Sequence, residues 1–217
     1  MQHGDLRIAS ILEHGRRVWG RSKVSTFLGD KVRHATYAEV GTRAHRLAHA
    51  LSRLGVNELD RVGTFMWNGQ EHLEAYLAVP SMGAVLHTIN IRLSPEHLEY
   101  IVNHAEDDVV FVDRDLLPRI WPSADRMPGV RHWVVLPDGS DTAIPADPRI
   151  LHYDELLAGA DPFTGSSEDT FTLADEQLAS GLCYTSGTTG RPKGVLYSHR
   201  STVLHCLGTL TAGFIGL

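Results

Sequence analysis

Between residues 61 and 113 the chain alternates short apolar runs with amphipathic stretches: RVGTFMW, QEHLEAYLAVPSM, AVLHTIN, PEHLEYIVNHAE and DVVFVD. This feature narrows the fold more than any other. Strand-length runs separated by helix-length segments pair in parallel, because each crossover carries a helix back over a sheet face. The runs are apolar throughout, as strands covered on both faces are. An α/β fold is therefore expected: a mostly parallel sheet with flanking helices.

The flanking sequence extends this pattern. RIASILEHGRRVWG reads as a first helix, and residues 24–28 and 32–36 as a strand pair turning at GDK. TYAE at residues 36–39 is a capping box opening a second helix. In that helix Val40, Ala44, Leu47, Leu51 and Leu54 share one face, while Arg43, Arg46, His49 and Arg53 take the other. Gly55 is its expected stop. Ser94 and Pro95 are cap and first-turn residues for PEHLEYIVNHAE. RHWVVLP is a further buried strand, and YDELLAG a short helix. LASGLCYT reads as a strand, GVLYSH as another, and Ser198 or Ser201 as the cap of a last helix. Pro, Asp, Gly and Ser crowd residues 137–150, and residues 161–175 are equally loose. The expected organisation is an N-terminal α/β unit over 1–137, a connector with a short helix over 138–176, and the start of a second unit over 177–217.

Composition sets limits. The 217 residues suit one large domain or two small ones, and 42% hydrophobic with 21% charged residues fits an ordinary globular chain. No apolar run reaches membrane-span length, and MQHGDLRIASILEHGRR lacks a secretory leader's pattern. Cys183 and Cys206 have no metal-type spacing and read as reduced thiols, which points to the cytoplasm. The 13 histidines are scattered without zinc-type spacing. The net charge of −6 is uneven: 17 basic and 26 acidic residues precede position 177, whereas Arg191, Lys193 and Arg200 follow it with no acid. An acidic protein repels nucleic acid at long range. The acid-free segment is where an anion would be held.

That segment contains YTSGTTGRPKGV, residues 184–195. Glycines let backbone N–H groups turn toward a phosphate at close range. Thr185, Ser186, Thr188 and Thr189 add hydroxyls that could donate to phosphate or ligate magnesium. Gly187 and Gly190 supply freedom, Pro192 stiffens the exit, and Lys193 brings a point charge. The pattern is not a Walker A motif, in which Gly-Lys-Ser/Thr opens a helix. Here the residues after Lys193 look extended, so the loop reads as a clasp between two strands. A mobile surface loop is the plain alternative.

YTSGTTGRPKGV resembles the phosphate-loop signature of the adenylate-forming superfamily, which includes acyl-CoA synthetases, luciferases and peptide-synthetase adenylation domains. ATYAEVGTRAHRLAHALSRLGV is similar to that family's early helix. AYLAVPSMGAVLHTINIRLSPEHLEYIVNHAEDDVVFVD and YSHRSTVLH resemble its medium- and long-chain fatty acyl-CoA synthetases. The likeness runs from about Leu6 to His205 and fades over CLGTLTAGFIGL. It implies the N-terminal part of the large domain of an acyl-CoA synthetase-like fold. It also implies a reaction in two steps: a fatty carboxylate attacks the α-phosphate of ATP, and coenzyme A then displaces AMP. Under that resemblance Thr185, Ser186, Gly187, Thr188, Thr189, Gly190 and Lys193 bind the β- and γ-phosphates. Lys193 serves catalysis and Thr185 ligates Mg²⁺. Family members are more than twice this length. The resemblance therefore places the second magnesium ligand, the ribose and adenine sites, most of the acyl tunnel and a late lysine beyond residue 217, and implies a segment inactive alone. A homodimer through the N-terminal region is implied by analogy.

Other readings stand beside this one. An adenylating enzyme for an aryl or amino acid keeps the same loop. A binding or oligomerisation module would keep the fold without chemistry. A P-loop kinase or GTPase is disfavoured by the missing Gly-Lys-Ser/Thr. His199 is read as structural rather than phosphate-binding, Cys183 as core, and Trp67 with Asn68 as packing residues at a strand end. His72, His87 and His104 have no nameable partner, and Asp107-Asp108 reads as a solvated turn.

Overall fold

A computed structural model describes residues 4–160, 175–185 and 190–210. Helix α1 (Ile8–Val18) precedes an antiparallel pair, β1 (Lys23–Leu28) and β2 (Lys31–Thr36). Helix α2 (Tyr37–Arg53) starts at the expected capping box: Glu39 donates its amide to the Thr36 hydroxyl, and the Glu39 carboxylate accepts from the Thr36 amide. Gly55 lies past its end at φ +86°, a left-handed conformation that favours glycine.

The order then runs β3 (Arg61–Phe65), α3 (Gln70–Ser81), β4 (Val85–Thr88), α4 (Pro95–Ala105), β5 (Asp107–Asp113), α5 (Leu117–Ile120) between two 3-10 turns, and β6 (His132–Leu136). Strand β7 (Ile150–His152) leads directly into α6 (Tyr153–Ala158). Strands β8 (Ala179–Thr185) and β9 (Lys193–Ser198) precede α7 (His199–Thr209), which Ser198 caps. Seven strands form one sheet in the order β7-β6-β5-β3-β4-β8-β9. All its pairings are parallel except β8 with β9.

The sheet divides two cores by the alternation of its side chains. Val62, Leu86, Val109, Phe111 and Val134 face a core shared with α1, α2, α3 and α6. Phe65, Ile89, Val110, Val112, Trp133 and Val135 face the core shared with α4 and α5. This explains why the strands read as unbroken apolar runs.

The first core carries a buried polar strut. The Glu74 carboxylate, 0% exposed, accepts from Arg43 at 2.7 Å, from Gln70 at 2.8 Å and from Tyr153 Oη at 2.6 Å. Burial pushes the Glu74 pKa up, while these donors pull it down. α2, α3 and α6 are thus joined around one carboxylate.

The expectation of a solvated turn at Asp107-Asp108 is overturned. Asp107 opens β5 with 1% exposure, and its Oδ2 lies 2.7 Å from Nδ1 of the buried His87. Asp108 receives both arms of Arg131 at 2.5 Å. Strand pairing draws the acids inward because β5 must start level with Arg61 of β3.

Candidate phosphate-loop site

Strand β8 lies parallel to β4, so Thr185 stands at the carboxyl end of the parallel strands, where open α/β sheets hold ligands. The antiparallel pairing sets Thr185 opposite Lys193. The Thr185 hydroxyl donates to the Lys193 carbonyl at 3.5 Å. Gly190 adopts φ +121°, a conformation that L side chains rarely adopt, as the chain enters β9. Thr185, Gly190 and Lys193 are thus brought together at one sheet end. Ser186, Gly187, Thr188 and Thr189 lie outside the described residues. Lys193 continues an extended strand, as the sequence suggested, and no helix begins there.

The three cations of the acid-free segment have different fates. Arg200 pairs with Glu176, which also accepts the Leu6 amide at 2.7 Å. Arg191 lies over the Tyr100 ring, its Cζ 5.0 Å from the centroid. Lys193 is exposed and pairs with no carboxylate among the described residues. Among the described residues it is the cation of this segment with neither a carboxylate nor an aromatic partner.

Sequence reasoning missed the support beneath the loop. Tyr184 points to the α4 side of the sheet and packs near Val85 and Ala105. Its hydroxyl meets His104 Nδ1 at 2.6 Å, and its ring lies 5.1 Å from that of His87. Burial, reinforced by the negative charge of Asp107, pushes the Tyr184 phenol up to about 12. The phenol therefore keeps its proton while hydrogen-bonded to the His104 ring nitrogen. The signal in the sequence was the four-residue spacing of Tyr100 and His104, which puts both on one helix face. His72 also has partners: the Thr64 hydroxyl and the Trp67 carbonyl, both at 3.1 Å.

On the opposite face Cys183 lies 3.0 Å from the Thr88 hydroxyl. There a largely apolar cavity of about 650 Å³ opens between α3, α7 and the sheet, lined by Tyr76, Leu86, Cys183 and His205 among others. Cys183 is therefore half-buried at a cavity wall instead of sealed in the core. Trp67 departs from its expected packing role: it is 50% exposed, its amide donates to Asp113 at 2.6 Å and its indole N–H to Asp115 at 3.0 Å. His199 does prove structural, fully buried with Nδ1 accepting the Ile8 amide at 3.4 Å. Among the described residues no group of three His, Cys, Asp or Glu side chains could hold a metal ion.

Residues 15–214 match the model of the AMP-binding enzyme family, and the chain belongs to that family. It is 42% identical over 212 residues to a 3-methylmercaptopropionyl-CoA ligase of Ruegeria lacuscaerulensis, covering 97% of this chain and 38% of that protein. It is 44% identical over 209 residues to a long-chain-fatty-acid–CoA ligase of Thermus thermophilus, covering 95% of this chain and 36% of that protein. The fold is similar to that of the anthranilate CoA ligase AuaEII solved with anthranoyl-AMP, with a TM-score of 0.76 at 25% identity, over 92% of this chain and 36% of that one. The chain thus spans less than two-fifths of the length of the relatives it matches.

Proposed function

We propose that this chain is the N-terminal part of an ATP-dependent acyl-CoA ligase, and that residues 185–193 hold the β- and γ-phosphates of ATP. One observation carries the reading: Lys193 stands opposite Thr185 at the carboxyl end of the sheet, while Arg191 and Arg200 are engaged elsewhere. The ammonium offsets charge that grows on the leaving pyrophosphate when a carboxylate attacks the α-phosphate. Thr185, Ser186, Thr188 and Thr189 supply hydroxyls and Gly187 and Gly190 close approach, so no acid of this segment opposes the polyphosphate. Mg²⁺, when bound with the nucleotide, would take Thr185 as a ligand and neutralise phosphate charge. The donor set fits that hard cation, though oxygen ligands from elsewhere must complete it.

The acid is proposed to be a fatty acid, and coenzyme A the acceptor. Support comes from the fatty-acid ligase among the relatives, although a methylmercaptopropionyl-CoA ligase is equally similar over this segment. Ligases for other acids remain the second reading, favoured by the fold shared with an anthranilate ligase. A cytoplasmic site accords with the two free cysteines. Pairing through the N-terminal region is proposed on resemblance to the subgroup. Since the chain spans about 38% of such relatives, fatty-acid-dependent pyrophosphate exchange is expected to be absent from these residues alone; robust exchange would reject that part of the reading.

The phosphate assignment is tested by calorimetric titration with Mg·ATP. Loss of one charge-assisted contact predicts that Lys193→Ala weakens binding about tenfold or more, with melting unchanged. Equal affinities in the two chains would remove Lys193 from the site.

A further inference from the structure

Both flanks of the phosphate loop touch one face of one helix. Tyr184, just before the loop, shares a hydrogen bond of 2.6 Å with His104 of α4. Arg191, at the loop's exit, lays its guanidinium on Tyr100 of the same helix at 5.0 Å. Tyr100 and His104 are four residues apart, and their rings approach to 5.3 Å. His104 also meets the Tyr184 ring edge-on at 5.8 Å, which closes a continuous stack from Arg191 through Tyr100 and His104 to Tyr184.

This stack sits at the rim of the α4-side core, against which Tyr184 also packs. Tyr100 is partly buried against the α4-side core, while His104 and Arg191 are exposed. We propose that Tyr100 and His104 are positioning residues, which fix the stance of the phosphate loop by gripping its entry through Tyr184 and its exit through Arg191. The effect on nucleotide affinity rests on the phosphate reading above; the grip itself does not. Arg191 is then a mooring and Lys193 the phosphate contact, although the two cations sit two residues apart.

Amide exchange of the 217-residue chain, measured without nucleotide, tests the grip directly. Cation–π contacts at exposed sites correspond to a change of about two- to fivefold. Tyr100→Leu and Arg191→Ala should each speed exchange at residues 190–194 by about threefold. The double variant should be no faster than either single one, and Tyr100→Phe, which keeps the ring, should match the unaltered chain. Tyr184→Phe, which loses only the hydroxyl, should speed exchange at residues 182–185. Unchanged exchange in Tyr100→Leu overturns the proposal, as do effects that multiply in the double variant. A rise shared equally by β5 and β6 would also overturn it, since that reports general loosening. Mg·ATP titration then separates the two claims. If Tyr100→Leu weakens binding about threefold and Lys193→Ala far more, both stand. If Lys193→Ala binds as tightly as the unaltered chain, the phosphate reading fails and the exchange data still decide the grip.

Discussion

Two parts of one sheet are packed to different standards. In β5 the residues from Val109 to Val112 are all 0% exposed, held between two cores. In β9 Val195, Leu196 and Tyr197 are 38%, 62% and 45% exposed, and α7 beside it shows Leu204 and Leu207 at 45% and 54%. The interior strands set the register, and the lightly packed pair β8–β9 carries the loop. The proposed grip from α4 reaches this more exposed pair through Tyr184 and Arg191.

The largest effect should come from deleting a side chain in the two-sided region. Phe111→Ala is expected to cost about 3–5 kcal/mol in urea unfolding, whereas Leu196→Ala stays within about 0.5 kcal/mol. Equal losses would erase the contrast.

A pH experiment sharpens it next. Burial, and then the nearby carboxylates of Asp138, Asp115 and Glu71, raises the Asp113 pKa to about 7. Between about pH 4 and pH 7 the folded chain holds a proton there that the unfolded chain has released. The stabilising contribution is complete only below that window and is lost as pH rises through it. Asp113→Asn, which can still accept the Trp67 amide, should flatten this slope. It should raise stability at pH 8 by on the order of 2 kcal/mol and leave it unchanged near pH 4. A parallel pH profile in both chains would contradict the assignment.

Helix caps give the smallest and most local comparison. Thr36→Ala, at the start of the well-packed α2, should lower global stability by about 1 kcal/mol. Ser198→Ala should chiefly speed amide exchange within α7, with little change in the unfolding midpoint.

Much of this fold was legible because its signals are local. Periodicity gave the strands and helices from α2 through β5, the Thr36 capping box and Gly55 gave both ends of α2, and the hydroxyl run gave the loop. What escaped depended on contacts distant in sequence. β7 spans only Ile150–His152, too short to show a period. Asp107 looked solvated because its partner His87 lies on another strand. Likewise Tyr100, His104, Tyr184 and Arg191 are drawn together only when α4 packs on β8. Local pattern suggested the chemistry proposed for the loop, whereas the device proposed to position it is tertiary.

Amide chemical-shift mapping on the isotopically labelled chain addresses the central claim most directly. On addition of Mg·ATP the account predicts the largest shifts at Thr185, Gly190, Arg191 and Lys193, with β5 and β6 silent. Shifts clustered instead around Trp67, Asp113 and Asp115, at the neighbouring strand ends, would contradict it.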